Sequence, residues 1–377
     1  MKNPIFFLFV LLACSCGSES SKSNQGSSIS LQIIQDTLLV DSGDEVVMAG
    51  SNLMLSVLSE GQGKLFNYDR KSSNLEVFDL DQLKLVEKVK FDNDGPNAVS
   101  AFVMSMKNWK NGNLFLQGFD ISGVYDTEGK LIQKYSLHPT DYIDKDSEGD
   151  FNFKGEFVFL NDTTVLIGLI RMFENIPHLA KLHLGKKKMD LIDFPYPERL
   201  EKYSIVMDGE MKIAYLGSVF MHVIDGKVVF TSNCYNDCMV FDQNNGSFEH
   251  IEFQSSLTPN QKEGGQKQKV GSREEFSEQQ KIISKQIDFG RWVWDSSNQK
   301  FYRLSYFTTS DAEDQEANHT RVFLTVFDSN LKMLAEKELD NYKKRPGSYF
   351  AKDGSVWIHE NVDDELGFVR LKIEEID

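Results

Sequence analysis

The sequence predicts an all-β protein, a six-bladed β-propeller closed by an N-terminal strand, with one loop and short-helix insertion at about 257–289. Three observations predict it. From Ser30 onward short apolar segments alternate with turn residues, and almost nothing has helical periodicity. An apolar strand ending in aromatic-Asp, then a turn and a second strand, recurs along the chain. Aromatic residues make up 12%, with 28 Phe, 12 Tyr and 4 Trp against only 8 Pro, a composition that suits β structure.

The chain divides into residues 1–13, 14–29 and 30–377. Met1-Lys2-Asn3 gives a positive start and Ile5 to Leu12 is an unbroken apolar run. Eight residues rise only about 12 Å as a helix, against a hydrocarbon core of about 30 Å, so the run reads as the apolar region of a signal peptide. Leu11-Leu12-Ala13-Cys14 resembles the lipobox of bacterial lipoproteins, which makes Cys14 the acylated residue and Cys16 the alternative. A plain secretory signal with two incidental cysteines is the competing reading. Gly17 to Ser30 is Ser-rich, the composition of a flexible tether. Together these features place the domain in the cell envelope, held to a membrane by lipid. No strong acidic run follows the cysteine, which favours the outer membrane with the domain facing the periplasm.

Ile29 to Val40 is a spare N-terminal strand. The aromatic-Asp marks are Phe78-Asp79, Tyr125-Asp126, Phe241-Asp242 and Phe327-Asp328. At each, Asp bonds the backbone of a turn and the chain returns as an outer strand. Outer strands face solvent on one side, which fits the Lys and Glu of 83–91 and 332–339. Val165 to Ile170 and Arg321 to Phe327 are near-continuous apolar runs, as buried inner strands should be. An unmarked unit centres on 178–184, and a last unit beginning at Tyr349 lacks its outermost strand. The spare strand supplies it, and ring closure removes exposed sheet edges. A pair of β-sandwiches is the alternative architecture.

Leu257 to Phe289 breaks the pattern. A polar stretch after Thr258-Pro259-Asn260 reads as a mobile loop. Ser272-Arg273-Glu274-Glu275 is a capping-box pattern, and Phe276, Ile283 and Ile287 share one face of a helix. Such an insertion is a lid or partner contact, or a neutral surface addition.

Four stretches carry a family resemblance: Phe66-Asn67-Tyr68-Asp69 with the strand after it, the turn Asp94-Gly95-Pro96-Asn97, Asn236-Asp237, and Trp294-Asp295. With them the chain resembles an uncharacterised group of Bacteroidota lipoproteins, a domain of unknown function with a six-bladed, TolB-like propeller. The resemblance implies a cell-envelope propeller and no assigned activity. TolB binds protein in the periplasm, so partner binding is implied by analogy only.

The net charge of −16 argues against a phosphate-backbone binder, so no nucleic-acid partner is expected. Cys234 and Cys238 flank a three-residue loop, and the open readings are a disulfide in an oxidising envelope or two small apolar residues. Asp144, Asp146, Glu148 and Asp150 alternate like the first half of a Ca²⁺ loop, but Gly155 stands where the bidentate Glu belongs. A weak Ca²⁺ site and a solvated acidic loop are its two readings, and no other cofactor is expected. His178 and His183 lie five apart and face opposite sides of a strand. The common linear enzyme signatures are absent. The mouth of the central channel is where a site would form, and Asn97, Arg171, Arg291, Trp292 and Arg345 are its candidates. Arg beside aromatics suits anionic or carbohydrate-like ligands, although pairing with acidic residues would explain each Arg as well. Asp36-Thr37-Leu38 and Asp162-Thr163-Thr164 resemble envelope O-glycosylation acceptors. Three functions remain: a lipid-anchored module binding an envelope protein or glycan, a metal-dependent hydrolase or lactonase in the channel, and a structural or sensory module.

Overall fold

The structure is a computed structural model, and it describes residues 22–25, 29–47, 53–142, 151–171, 174–194, 196–208, 212–310 and 318–376. Six antiparallel meanders follow one another along them, at 56–90, 103–135, 151–193, 219–254, 288–338 and 349–376. The last supplies three strands, Tyr349–Lys352, Ser355–Val362 and Glu365–Ile376. Its fourth strand is Ser30–Leu39, antiparallel to Glu365–Ile376, with Ser30 opposite Ile376 and Leu39 opposite Gly367. The spare N-terminal strand therefore completes the sixth sheet. Within the stretch read as a tether, Lys22–Gln25 lies parallel to Ser247–Gln254 at the edge of the fourth sheet.

The aromatic-Asp marks end the third strand of the first, second, fourth and fifth sheets. In each, the carboxylate takes backbone N–H groups of the following turn. Asp79 accepts from Asp81 and Gln82 at 3.0 and 2.8 Å. Asp126 accepts from Glu128 and Lys130, Asp242 from Asn244, and Asp328 from Asn330 and Lys332. The side chain supplies acceptors that a tight turn leaves missing, which is why Asp recurs there. The third sheet lacks the Asp, and its corresponding turn is a short 3-10 segment, Leu184–Lys186.

Apolar clusters join the sheets in sequence. Phe66, Tyr68 and Val77 of the first pack with Val103, Leu114 and Leu116 of the second. Phe115 and Tyr135 meet Phe157 and Ile167; Leu166 and Leu179 meet Met221 and Phe230. Val229 and Phe253 meet Phe301 and Phe327, and Leu304 and Leu324 meet Ile358 and Leu371. A sixth cluster joins the last sheet to the first, with Trp357, Leu366 and Phe368 against Leu65, Phe78 and Leu80. Each large side chain buried this way contributes about 1.5–3 kcal/mol before entropy is counted. Many of the buried aromatic side chains lie in these seams.

Two insertions pack together beside the fourth sheet. One follows the third sheet and holds the 3-10 segment Tyr196–Tyr203 with strands Ile205–Met207 and Ile213–Tyr215. The other holds strand Lys269–Val270, which runs parallel to Ile205–Met207, and helix α1, Arg273–Ser284. The Ser272 hydroxyl caps α1 by accepting from the Glu275 N–H at 3.1 Å. Phe276 and Ile283 bury against Leu200, Ile205 and Met207, while Ile287 is buried just beyond the helix end. The polar stretch read as a mobile loop is held in place. Lys262 is fully buried, donating to the Ile287 carbonyl at 2.7 Å and pairing with Asp288 at 3.1 Å. Gln266 donates to the Lys202 carbonyl at 2.8 Å. Its polar side chains find partners in the first insertion and in the 275–288 segment, contacts that local composition does not express.

Candidate functional site

A cavity of about 510 Å³ lies where the first strands of the sheets come together. Ser56 comes from the first sheet, Met104, Ser105, Met106 and Lys107 from the second, and Glu156 from the third. Arg291 comes from the fifth and Tyr349 from the sixth. The fourth sheet reaches the same place through the Met221 N–H, which donates to Glu156 Oε1 at 3.3 Å.

Arg291 is aimed by a break in the backbone. The strand opening the fifth sheet is split into Asp288–Phe289 and Val293–Asp295, both paired with Lys300–Ser310. Gly290 sits at the break and its N–H donates to the Leu304 carbonyl at 2.8 Å. A Cβ at Gly290 would lie 2.6 Å from that carbonyl oxygen and 2.5 Å from Tyr349 Oη, so only glycine fits. The Tyr349 hydroxyl donates to the Arg291 carbonyl and accepts from the Leu304 N–H. These contacts fix the turn that presents the guanidinium to the cavity.

Arg291 forms a two-pronged pair with Glu156, Nη1 to Oε1 at 3.1 Å and Nη2 to Oε2 at 2.8 Å. Burial alone would raise the Glu156 pKa, but the charges of Arg291 and Lys107 and the hydrogen bonds from Arg291 hold it below the usual carboxylate range. Lys107 is half-buried, 5.7 Å above the Phe157 ring. Among the described residues its ammonium has no hydrogen-bond acceptor and no carboxylate at salt-bridge distance. Burial lowers its pKa. His222, on the first strand of the fourth sheet, is pushed down to about 3 by burial and then by Arg291, so it is neutral at pH 7. Its Nε2 is buried without a partner. The arrangement is a polar cavity with two cations, one committed carboxylate and a neutral imidazole beside it.

Of the residues named from sequence as a channel mouth, Arg291 lines this cavity. Trp292 does not: it is 0% exposed, stacked on Phe327 at 4.1 Å and packed against Phe301 and Phe253. Adjacent residues after the backbone break point to opposite sides, so one faces the cavity and the other the seam. Asn97 is spent on structure, its Oδ1 accepting from the Leu131 N–H at 3.2 Å. Arg345 is exposed, its guanidinium 5.4 Å over the Tyr306 ring, outside the cavity lining. Arg171 ends the strand Thr164–Arg171; its side chain is outside what the structure describes, as are the acylation candidates Cys14 and Cys16 and the acidic loop Asp144, Asp146, Glu148 and Asp150.

Cys234 and Cys238 are free thiols, which corrects the disulfide reading. Cys234 packs among Leu200, Tyr203 and Tyr235 under the insertions, while Cys238 faces the seam with Val229 and Phe253. They belong to different clusters. Burial pushes both pKa values up, Cys234 to about 12. Thr37 and Thr163, the acceptors in the two Asp-Thr motifs, are both exposed. His178 and His183 each pair with a different aspartate, Asp193 and Asp190, as opposite faces require.

Lys107, Glu156, His222 and Tyr349 had no linear signal. A faint trace is a charged residue within a strand that opens a sheet, such as Lys107 in 103–108. Among the described residues no three His, Cys, Asp or Glu side chains are grouped to hold a metal ion. No helix among them is long and apolar enough to cross a membrane.

The sequence matches the model of DUF4221, a domain of unknown function, over residues 28–338. The structure is similar to that of a DUF4221-family protein from Bacteroides vulgatus, with TM-score 0.66 and 13% identity over 92% of this chain and 99% of that one. It is also similar to a Bacteroides fragilis protein whose name calls it exported, with TM-score 0.52 and 11% identity over 95% and 99% of the two chains. At these identities the likeness is one of fold. No curated protein matches the sequence.

Proposed function

The chain belongs to the DUF4221 family, and on that premise we propose that it is a lipid-anchored, six-bladed propeller of the cell envelope that binds a glycan or protein partner through its central cavity. Six meanders with a sixth seam from last to first, and an N-terminal strand completing the last sheet, support a closed ring. The apolar run before Cys14 supports export and acylation. A relative named as exported agrees with that address.

The observation that carries the binding reading is the cavity itself, with Lys107 unpaired beside the Glu156–Arg291 clasp. Convergent polar groups in a concave site that several elements share are what a binding protein needs. A metal-dependent hydrolase in the channel needs several free oxygen ligands. Glu156 is the carboxylate in the lining, and its two oxygens are engaged by Arg291 and the Met221 N–H. The geometry therefore favours binding over hydrolysis.

The test is capture from envelope extract on the immobilised mature chain, with Lys107→Met beside the wild type. Retention of one glycan or protein by the wild type and its loss by the variant is the expected result. Equal retention by both chains would remove the cavity from the proposal.

A further inference from the structure

We propose that the ligand of this cavity is an acidic glycan whose hexuronic acid unit seats its carboxylate on Lys107. The inference rests on the cavity being the binding site and adds the chemical class of what it binds.

Lys107 and Arg291 bring two positive charges to the cavity and Glu156 one negative. Glu156 takes both terminal nitrogens of Arg291, so the guanidinium fork is already answered. Lys107 is left without a hydrogen-bond acceptor or salt-bridge carboxylate among the described residues, its ammonium 5.7 Å from the centre of the Phe157 ring. A half-buried ammonium without a partner costs free energy, and a ligand carboxylate recovers it as a charge-assisted hydrogen bond. His222 adds no charge at neutral pH, because burial and Arg291 disfavour its protonated form.

The surplus of one positive charge also sets the kind of anion. A carboxylate carries one charge and needs one cationic partner. A phosphate dianion would bring twice the charge beside the Glu156 carboxylate, which already engages one N–H on each terminal nitrogen of Arg291. The rest of the lining suits a sugar ring. Ser105 and Ser348 offer hydroxyls, and Met104 offers a soft apolar surface for a ring face. A volume of about 510 Å³ falls within the range of small-molecule sites and holds more than a single sugar.

A water-solvated Lys107 with no ligand role is the competing account, and it predicts no preference among anions and neutral sugars. Calorimetric titration of the mature chain with D-glucuronate, its methyl ester and D-glucose separates the two. Glucuronate is expected to bind the wild type at least tenfold more tightly than the ester or glucose. Lys107→Met should abolish that preference and Lys107→Arg should retain most of it, with circular dichroism confirming that both variants fold. The comparison of acid with ester uses the wild type alone, so a variant that fails to fold leaves the test intact. Equal binding of acid and ester overturns the carboxylate seat while leaving the cavity a binding site. Glucuronate that does not bind overturns the inference, and capture of a neutral partner from extract would then show that the broader reading survives it. N-acetyl-Ala-Ala binding as tightly as glucuronate overturns the sugar assignment in favour of a peptide carboxylate.

Discussion

Replacing Arg291 by Met tests the clasp that joins three sheets at the cavity. The side chain pairs with Glu156 of the third sheet at 2.8 Å, and Glu156 also receives the Met221 N–H of the fourth. The guanidinium further lies 5.2 Å over the Phe220 ring. Removing one partner of a buried pair costs about 3–5 kcal/mol, because the other charge is left in low dielectric. An exposed pair is worth about 0–1 kcal/mol. Here the Arg291 side chain is 39% exposed and that of Glu156 17%, and Lys107 remains as a second cation. The expected cost is therefore intermediate, about 1–3 kcal/mol, interpolated between those two limits. Urea unfolding followed by tryptophan fluorescence measures it. Adding Glu156→Gln removes the orphaned carboxylate, so the double variant should be more stable than Arg291→Met alone. A single-variant cost below about 0.5 kcal/mol, or strict additivity in the double variant, would refute the reasoning.

Three further outcomes are expected. His222 has a folded pKa of about 3 against 6.5 for the free side chain, so the unfolded chain takes up the proton first; its contribution to stability is full above about pH 6.5 and is lost as pH falls towards 3, at about 1.4 kcal/mol per pH unit. Glu156, held below its ordinary range, adds a loss of the same sign at lower pH, and His222→Gln should flatten the limb between pH 6 and 4 in urea titrations, while an unchanged slope would count against the buried neutral imidazole. Trp292→Ala should cost about 3–5 kcal/mol, as for other buried aromatics, yet leave glucuronate affinity within twofold in calorimetry at a temperature where the variant is folded. Cys234 and Cys238 should resist alkylation in the native chain and react in urea, as peptide mass mapping would reveal; a linked Cys234–Cys238 peptide from a non-reducing digest would contradict the free thiols.

Much of the fold was legible because its signals are local. The four Asp residues that close third-to-fourth strand turns act on amides two to four residues away, a range that sequence displays directly. The spare strand at 30–39 was legible by subtraction, since the last unit lacked an edge partner. The cap at Ser272 and the buried face of α1 follow from spacing alone. The first insertion was missed, because Tyr196–Tyr203 and its two short strands take their order from the second insertion some sixty residues later, as Lys202 and Gln266 illustrate.

The site was less legible. Its parts come one or two at a time from different sheets, and nothing in 103–108 says that Lys107 will face Glu156. Arg291 was named together with Trp292 because an arginine beside an aromatic suits a ligand. Trp292 was misassigned for the same reason: the sequence shows that the pair is special without showing which member faces which side. The cysteine spacing left a disulfide and two small apolar residues both open, and the intervening loop turns the two thiols into separate clusters.

The central claim is that one cavity built by the first strands is where the partner binds. Amide hydrogen exchange of the mature chain, with and without the partner it retains from envelope extract, tests this most directly. The account predicts protection centred on 53–56, 104–107, 155–156, 290–292 and 347–349. Protection confined to α1 and the two insertions, with the cavity strands unchanged, would contradict it.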